Sequence, residues 1–155
     1  RRSGVVRRPP AEEPDDEYPI RLTTGRTVAH YLSGNQTRRL GYLVDQTPAP
    51  WVEIHPSTAA EHGITEWSPV RVTSRRGSMV LPALVVRTIR PDTVFIPYHW
   101  AAPVAANELT KASFDPISWI PAFKTAAVRI EATDDPLDPV TPPPVAGGTT
   151  LEVNR

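Results

Sequence analysis

Cysteine is missing from all 155 residues. That excludes disulfides, thiolate zinc sites and cysteine-held iron–sulfur clusters within the chain. A surplus of one charge is missing too: Lys+Arg and Asp+Glu both number 17. The balance gives no electrostatic reason to expect nucleic acid or an anionic membrane as partner. No apolar run approaches the roughly 20 residues that a membrane span needs. The charged N-terminus lacks the apolar core of a secretory signal, so the chain reads as cytoplasmic. Four histidines, scattered without ligand spacing, give no support for a metal held by the protein itself.

What is present is proline, 19 of them, and their placement divides the chain. Residues 1–17 carry Arg1, Arg2, Arg7 and Arg8, then Glu12, Glu13, Asp15, Asp16 and Glu17, with few apolar side chains to offset ordering. This composition predicts a flexible linker. Residues 133–155 hold Pro136, Pro139, Pro142, Pro143, Pro144 and the pair Gly147-Gly148, and read as a Pro-rich disordered tail.

Between them, residues 18–132 have the length and the apolar periodicity of one domain. Ile20 and Leu22 alternate with Arg21 and Thr23, and further strands are predicted at Trp51–Ile54, around Val70 and Val72, and at Met79–Val86, Thr93–Ile96 and Thr125–Ile130. Pro82 argues for an edge or a bulge in the fourth of these. Pro56 to Gly63 reads as a short helix, with proline in its first turn, Thr58 and Glu61 at capping-box spacing, and Gly63 as a left-handed stop. Short strands with frequent turns predict a small closed or nearly closed β-barrel. The pattern does not separate a double-psi barrel from an OB-like one.

Two polar knots follow the first strand. Thr24-Gly25-Arg26 offers a hydroxyl, free backbone N–H groups and a guanidinium. His30, Ser33-Gly34-Asn35 and Thr37-Arg38-Arg39 come directly after. Glycine lets a ligand approach the main chain, and arginine matches phosphate oxygens with paired donors. Chemistry alone leaves two readings open, a phosphate or nucleotide-tail site and a pair of ordinary polar turns.

These residues, in this order, resemble the opening of the C-terminal cofactor-binding domain of the molybdenum bis-pterin-guanine-dinucleotide oxidoreductases, the family of bacterial nitrate reductases and formate dehydrogenases. Later elements continue the resemblance, which covers about residues 18–132: Ser74-Arg75-Arg76-Gly77, Asn107-Glu108-Leu109-Thr110, Asp115-Pro116 and Pro121-Ala122-Phe123-Lys124. The resemblance implies a mainly β double-psi barrel with one or two short helices and flexible tails. It implies Mo-bis(molybdopterin guanine dinucleotide) as cofactor, bound jointly with the remaining domains of a parent oxidoreductase that also supply any metal-ligating residue. Thr24, Gly25, Arg26, His30, Ser33, Gly34, Thr37, Arg38, Asn107 and Lys124 become the expected cofactor-binding residues, with Asn107 hydrogen-bonding the pterin and Lys124 reaching it. His99 and Trp100 are expected to line a substrate funnel, where His99 lends a proton or a hydrogen bond. The domain by itself would do no chemistry. The parent looks most like an assimilatory nitrate reductase, with formate dehydrogenase as the alternative. Remoter readings are a pyruvoyl decarboxylase-like enzyme built on Gly77-Ser78 and a barrel serving as a binding module.

Overall fold

Alternating burial drives the closure. In β1 (Ile20–Gly25), Ile20, Leu22 and Thr24 point inward while Arg21, Thr23 and Gly25 do not. The same two-residue period recurs in β2 (Val52–Ile54) and β3 (Pro69–Thr73), and it places Val94 and Ile96 inside in β5 (Thr93–Pro97). β4 (Ser78–Val85) and β6 (Thr125–Ala132) complete the set, and two short helices, α1 (Gly41–Gln46) and α2 (Pro56–Glu61), flank β2. The computed structural model describes residues 10–140; Arg1 to Arg8 and the expectations placed on residues 141–155 lie outside them.

The strands close into one barrel in the order β1-β5-β2-β4-β3-β6. β1 runs parallel to β5 and antiparallel to β6, while β2 runs parallel to β4 and antiparallel to β5. Two parallel pairs interlocked in one closed sheet are the double-psi arrangement that the resemblance implied. Leu22, Val52, Ile54, Val70, Val94 and Ile96 fill its centre and are wholly buried. Each is worth about 1.5–3 kcal/mol of burial.

Pro82 sits at neither an edge nor a bulge. It stands opposite Pro69 where β4 leaves β3 and takes up β2 at Ala83, so the missing N–H falls at a change of partner. The capping box expected from Thr58 and Glu61 is also replaced. His55 is the N-cap, its Nδ1 accepting from Ser57 N–H at 3.2 Å, while Thr58 Oγ1 donates to Pro91 O at 2.6 Å. Gly63 does take the left-handed stop, at φ 65°. Gly77 and Ser78 close the β3–β4 hairpin, with Gly77 O accepting from Ser74 N–H at 2.8 Å.

Contacts extend beyond residues 18–132 at both ends. Glu12 is ion-paired with Arg75 and Arg76, and Asp138 exchanges hydrogen bonds with Val80 at 3.0 and 2.8 Å. Composition suggested mobility for these segments because their partners lie far away along the chain.

Candidate functional site

The register of β1 sets the site. Thr24, its last inward position, donates its hydroxyl to Phe123 O at 2.8 Å and its N–H to Lys124 O at 3.1 Å. The strand end is thereby stitched to the segment that leads into β6. Gly25 comes next against Phe95, whose Cε2 would lie 2.6 Å from an added Cβ. Arg26 then emerges on the rim, with Nε donating to Tyr98 Oη at 2.6 Å.

Beneath that rim lies a layer of polar side chains whose bonds point inward. His99 is fully buried, accepts Thr27 N–H on Nε2 at 2.8 Å and donates Nδ1–H to Leu32 O at 2.5 Å. The carbonyl partner assigns the Nδ1–H tautomer. Burial holds its pKa below the ordinary histidine value, outweighing the support of Leu32 O, and nearby His30, Arg26 and Arg38 push the same way. Both ring nitrogens of His99 are thus taken by backbone groups of the domain, and His99 is not among the residues lining the cleft that holds Arg26 and Ser33. It ties together the two arms of the loop that carries Arg26 and Ser33.

His30 is buried in the same layer, with Nε2 on Thr47 O at 2.8 Å and Nδ1 on Thr37 Oγ1 at 3.1 Å. Trp100 packs edge-on against both histidines at centroid distances of 5.5 and 5.7 Å. Arg38 donates to His99 O at 3.3 Å, and burial lowers its pKa. Gly34, at φ 76°, passes so close that an added Cβ would stand 2.8 Å from His99 O. His30, Gly34, Thr37, Arg38 and Trp100 therefore form the floor of the loop and line neither of the two clefts above it.

The larger cleft has a volume of about 510 Å³. Arg26, Ser33, Asn107, Thr110 and Lys111 supply its polar side, and Tyr98 and Phe123 supply aromatic walls. Among the described residues, no carboxylate lines it. Asn107 arrives on a 3-10 turn, Ala106–Glu108, so three distant stretches of chain converge here. Lys124 stands behind the wall, its Nζ 5.4 Å from the Tyr98 ring centroid and 5.1 Å from that of Phe123. Arg26 also borders a second cleft of about 410 Å³, shared with Thr27, Gln46, Trp51 and Glu53. Among the described residues, no three His, Cys, Asp or Glu side chains gather as a metal shell.

Of the expected residues, the cleft contains Arg26, Ser33 and Asn107, with Lys124 adjoining and Thr24 and Gly25 framing the rim. Tyr98, Thr110, Lys111 and Phe123 were missed. Thr110 and Lys111 directly follow the Asn107 element, and Phe123 precedes Lys124, so adjacency to those motifs was the available signal.

Residues 20–127 match the family model described as the Molydopterin dinucleotide binding domain. Over 121 residues the chain is 43% identical to the assimilatory nitrate reductase catalytic subunit of Bacillus subtilis, covering 78% of this chain and 17% of that protein. Over 122 residues it is 42% identical to the F420-dependent formate dehydrogenase 1 subunit alpha of Methanococcus maripaludis, covering 79% and 18%. Its fold is similar to that of acetylene hydratase from Pelobacter acetylenicus, with a TM-score of 0.65 at 20% identity over 76% of this chain and 19% of that one. The chain thus spans less than a fifth of the length of these relatives.

Proposed function

Because the chain belongs to the Molydopterin dinucleotide binding domain family, we propose that it is the cofactor domain of a larger molybdenum oxidoreductase and that the 510 Å³ cleft seats its molybdopterin guanine dinucleotide. The observation that carries this is the convergence of Arg26, Asn107 and Lys111 on one cleft that, among the described residues, no carboxylate lines. The donor set fits the group: two cations for a diphosphate, hydroxyls and an amide for a pterin edge, aromatic walls for a flat ring.

When bound, the molybdenum group supplies the redox chemistry. The residues of this chain bind, orient and exclude water. With Nε held by Tyr98, Arg26 keeps its terminal nitrogens for phosphate oxygens. The Asn107 amide offers a donor and an acceptor together. Tyr98 and Phe123 shut water from one side, and Lys124 adds positive charge behind them. His99, through Thr27 N–H and Leu32 O, fixes the arms that present Arg26 and Ser33.

The parent's substrate belongs to the same proposal. The 43% identity to the assimilatory nitrate reductase catalytic subunit of Bacillus subtilis supports a parent of that kind, which we read as cytoplasmic, with the remaining domains of the parent as partners. The formate dehydrogenase reading is supported by a relative of nearly equal identity, 42% against 43%. Beside the cleft wall, Phe114, Ile117, Trp119 and Ile120 lie exposed on one loop, an apolar surface suited to those other domains. Among the described residues, no helix is long and apolar enough to cross a membrane.

The test is cofactor content in the parent enzyme, read as molybdenum and as guanine nucleotide released on denaturation. Arg26→Ala or Lys111→Ala should lower both about tenfold or more, the scale of one charge-assisted hydrogen bond. Glu61→Ala should change neither. Full occupancy in both cleft variants would refute the assignment.

A further inference from the structure

Glu12 lies in the segment whose composition reads as linker, yet its side chain is only 8% exposed. Arg76 grips it with two nitrogens at 2.7 Å each, Arg75 donates at 3.1 Å, and the N–H of Ala127 in β6 donates at 2.9 Å. Arg76, in the β3–β4 turn, aims further donors elsewhere. Its Nε and Nη2 reach Leu109 O at 3.2 and 2.7 Å. Leu109 is fully buried directly after the 3-10 turn that presents Asn107, and Thr110 and Lys111 follow it at the cleft. Lys111 in turn donates to Ala11 O at 3.3 Å. Two separate routes therefore run from Ala11-Glu12 to the Asn107–Lys111 loop.

Ala106 and Leu109 anchor that loop in the core, and Arg76 gives it a polar tie to the β3–β4 turn. Its own backbone bonds are local, from Glu108, Leu109 and Thr110 N–H to the carbonyls of Ala105, Ala106 and Asn107. A single 3-10 turn is a weak unit by itself. We propose that Ala11-Glu12 is a strap that positions the Asn107–Lys111 loop through Arg76, with Arg76 as a positioning residue. The strap links the segment entering the barrel to the cleft. Its functional meaning rests on the reading of the cleft as the cofactor's seat.

Hydrogen exchange on the 155-residue chain, without cofactor, tests the strap independently of that reading. Glu12→Gln and Arg76→Met should each speed exchange of the Glu108, Leu109 and Thr110 amides about tenfold, the scale of a lost charge-assisted bond, while the β1–β5 ladder stays within about twofold. Asp135→Asn, which breaks the Arg71–Asp135 pair on β3 without touching Glu12 or Arg76, should leave the loop unchanged. Unchanged loop exchange in both strap variants would overturn the proposal. So would a uniform rise across the whole barrel, because Glu12 would then be a general stability contact. Titration with inorganic pyrophosphate gives the second arm, and Glu12→Gln should weaken binding about tenfold. Faster loop exchange with unchanged pyrophosphate affinity would uphold the strap and count against the cleft as the anion site.

Discussion

The floor beneath the rim and the cleft above it share the loop of residues 26–38 and the run of residues 98–100, yet their polar atoms face opposite ways. In the floor, His30, Thr37 and His99 spend their side-chain polar atoms on partners inside the domain. In the cleft, Arg26, Asn107 and Lys111 border open volume. The motif therefore contains two kinds of residue, those that border the open cleft and those that hold the bordering residues still. Substitutions in the first kind should cost affinity, and substitutions in the second should cost stability.

The comparison breaks most visibly at His99. Replacing it with Ala strands Thr27 N–H and Leu32 O in a buried site and leaves a cavity, which should cost about 4 kcal/mol in chemical denaturation. The strap gives the next largest effect. Arg76 above all, with the Ala127 N–H and Arg75, overcomes burial and lowers the Glu12 pKa to about 2 from 4.5. Because folding depresses this pKa, the stabilisation is fully present above about pH 4.5 and is lost as the pH falls toward 2. A shift of that size corresponds to about 3 kcal/mol. Stability measured across that window should fall less steeply in Glu12→Gln than in the wild type. Gly34→Ala, with positive φ and a backbone oxygen in the way, should cost about 2 kcal/mol and loosen the floor without touching the cleft. Arg26→Ala marks the small end, changing the denaturation midpoint by no more than about 0.5 kcal/mol equivalent while reducing ligand affinity.

Much of this was legible in the sequence, for identifiable reasons. β1, β3 and β6 announced themselves because alternate side chains face a closed core. Arg26, Ser33 and Asn107 were legible through their motifs. α1 was not, because it buries none of its residues and so carries no apolar stripe. Burial of His99 was hidden because its partners, Thr27 N–H and Leu32 O, are backbone groups that spacing does not reveal. Glu12 was misread for a related reason. Charge density in a proline-rich stretch resembles a solvated linker until Arg75 and Arg76 are brought beside it by the β3–β4 hairpin.

The most direct test is a structure of the parent enzyme with its cofactor bound. The account predicts that the side chains of Arg26 and Asn107 both lie within hydrogen-bonding distance of the dinucleotide, in the cleft walled by Tyr98 and Phe123, while His30 and His99 keep the partners they have here. A cofactor seated only in the smaller cleft beside Trp51, with Asn107 out of reach, would contradict it.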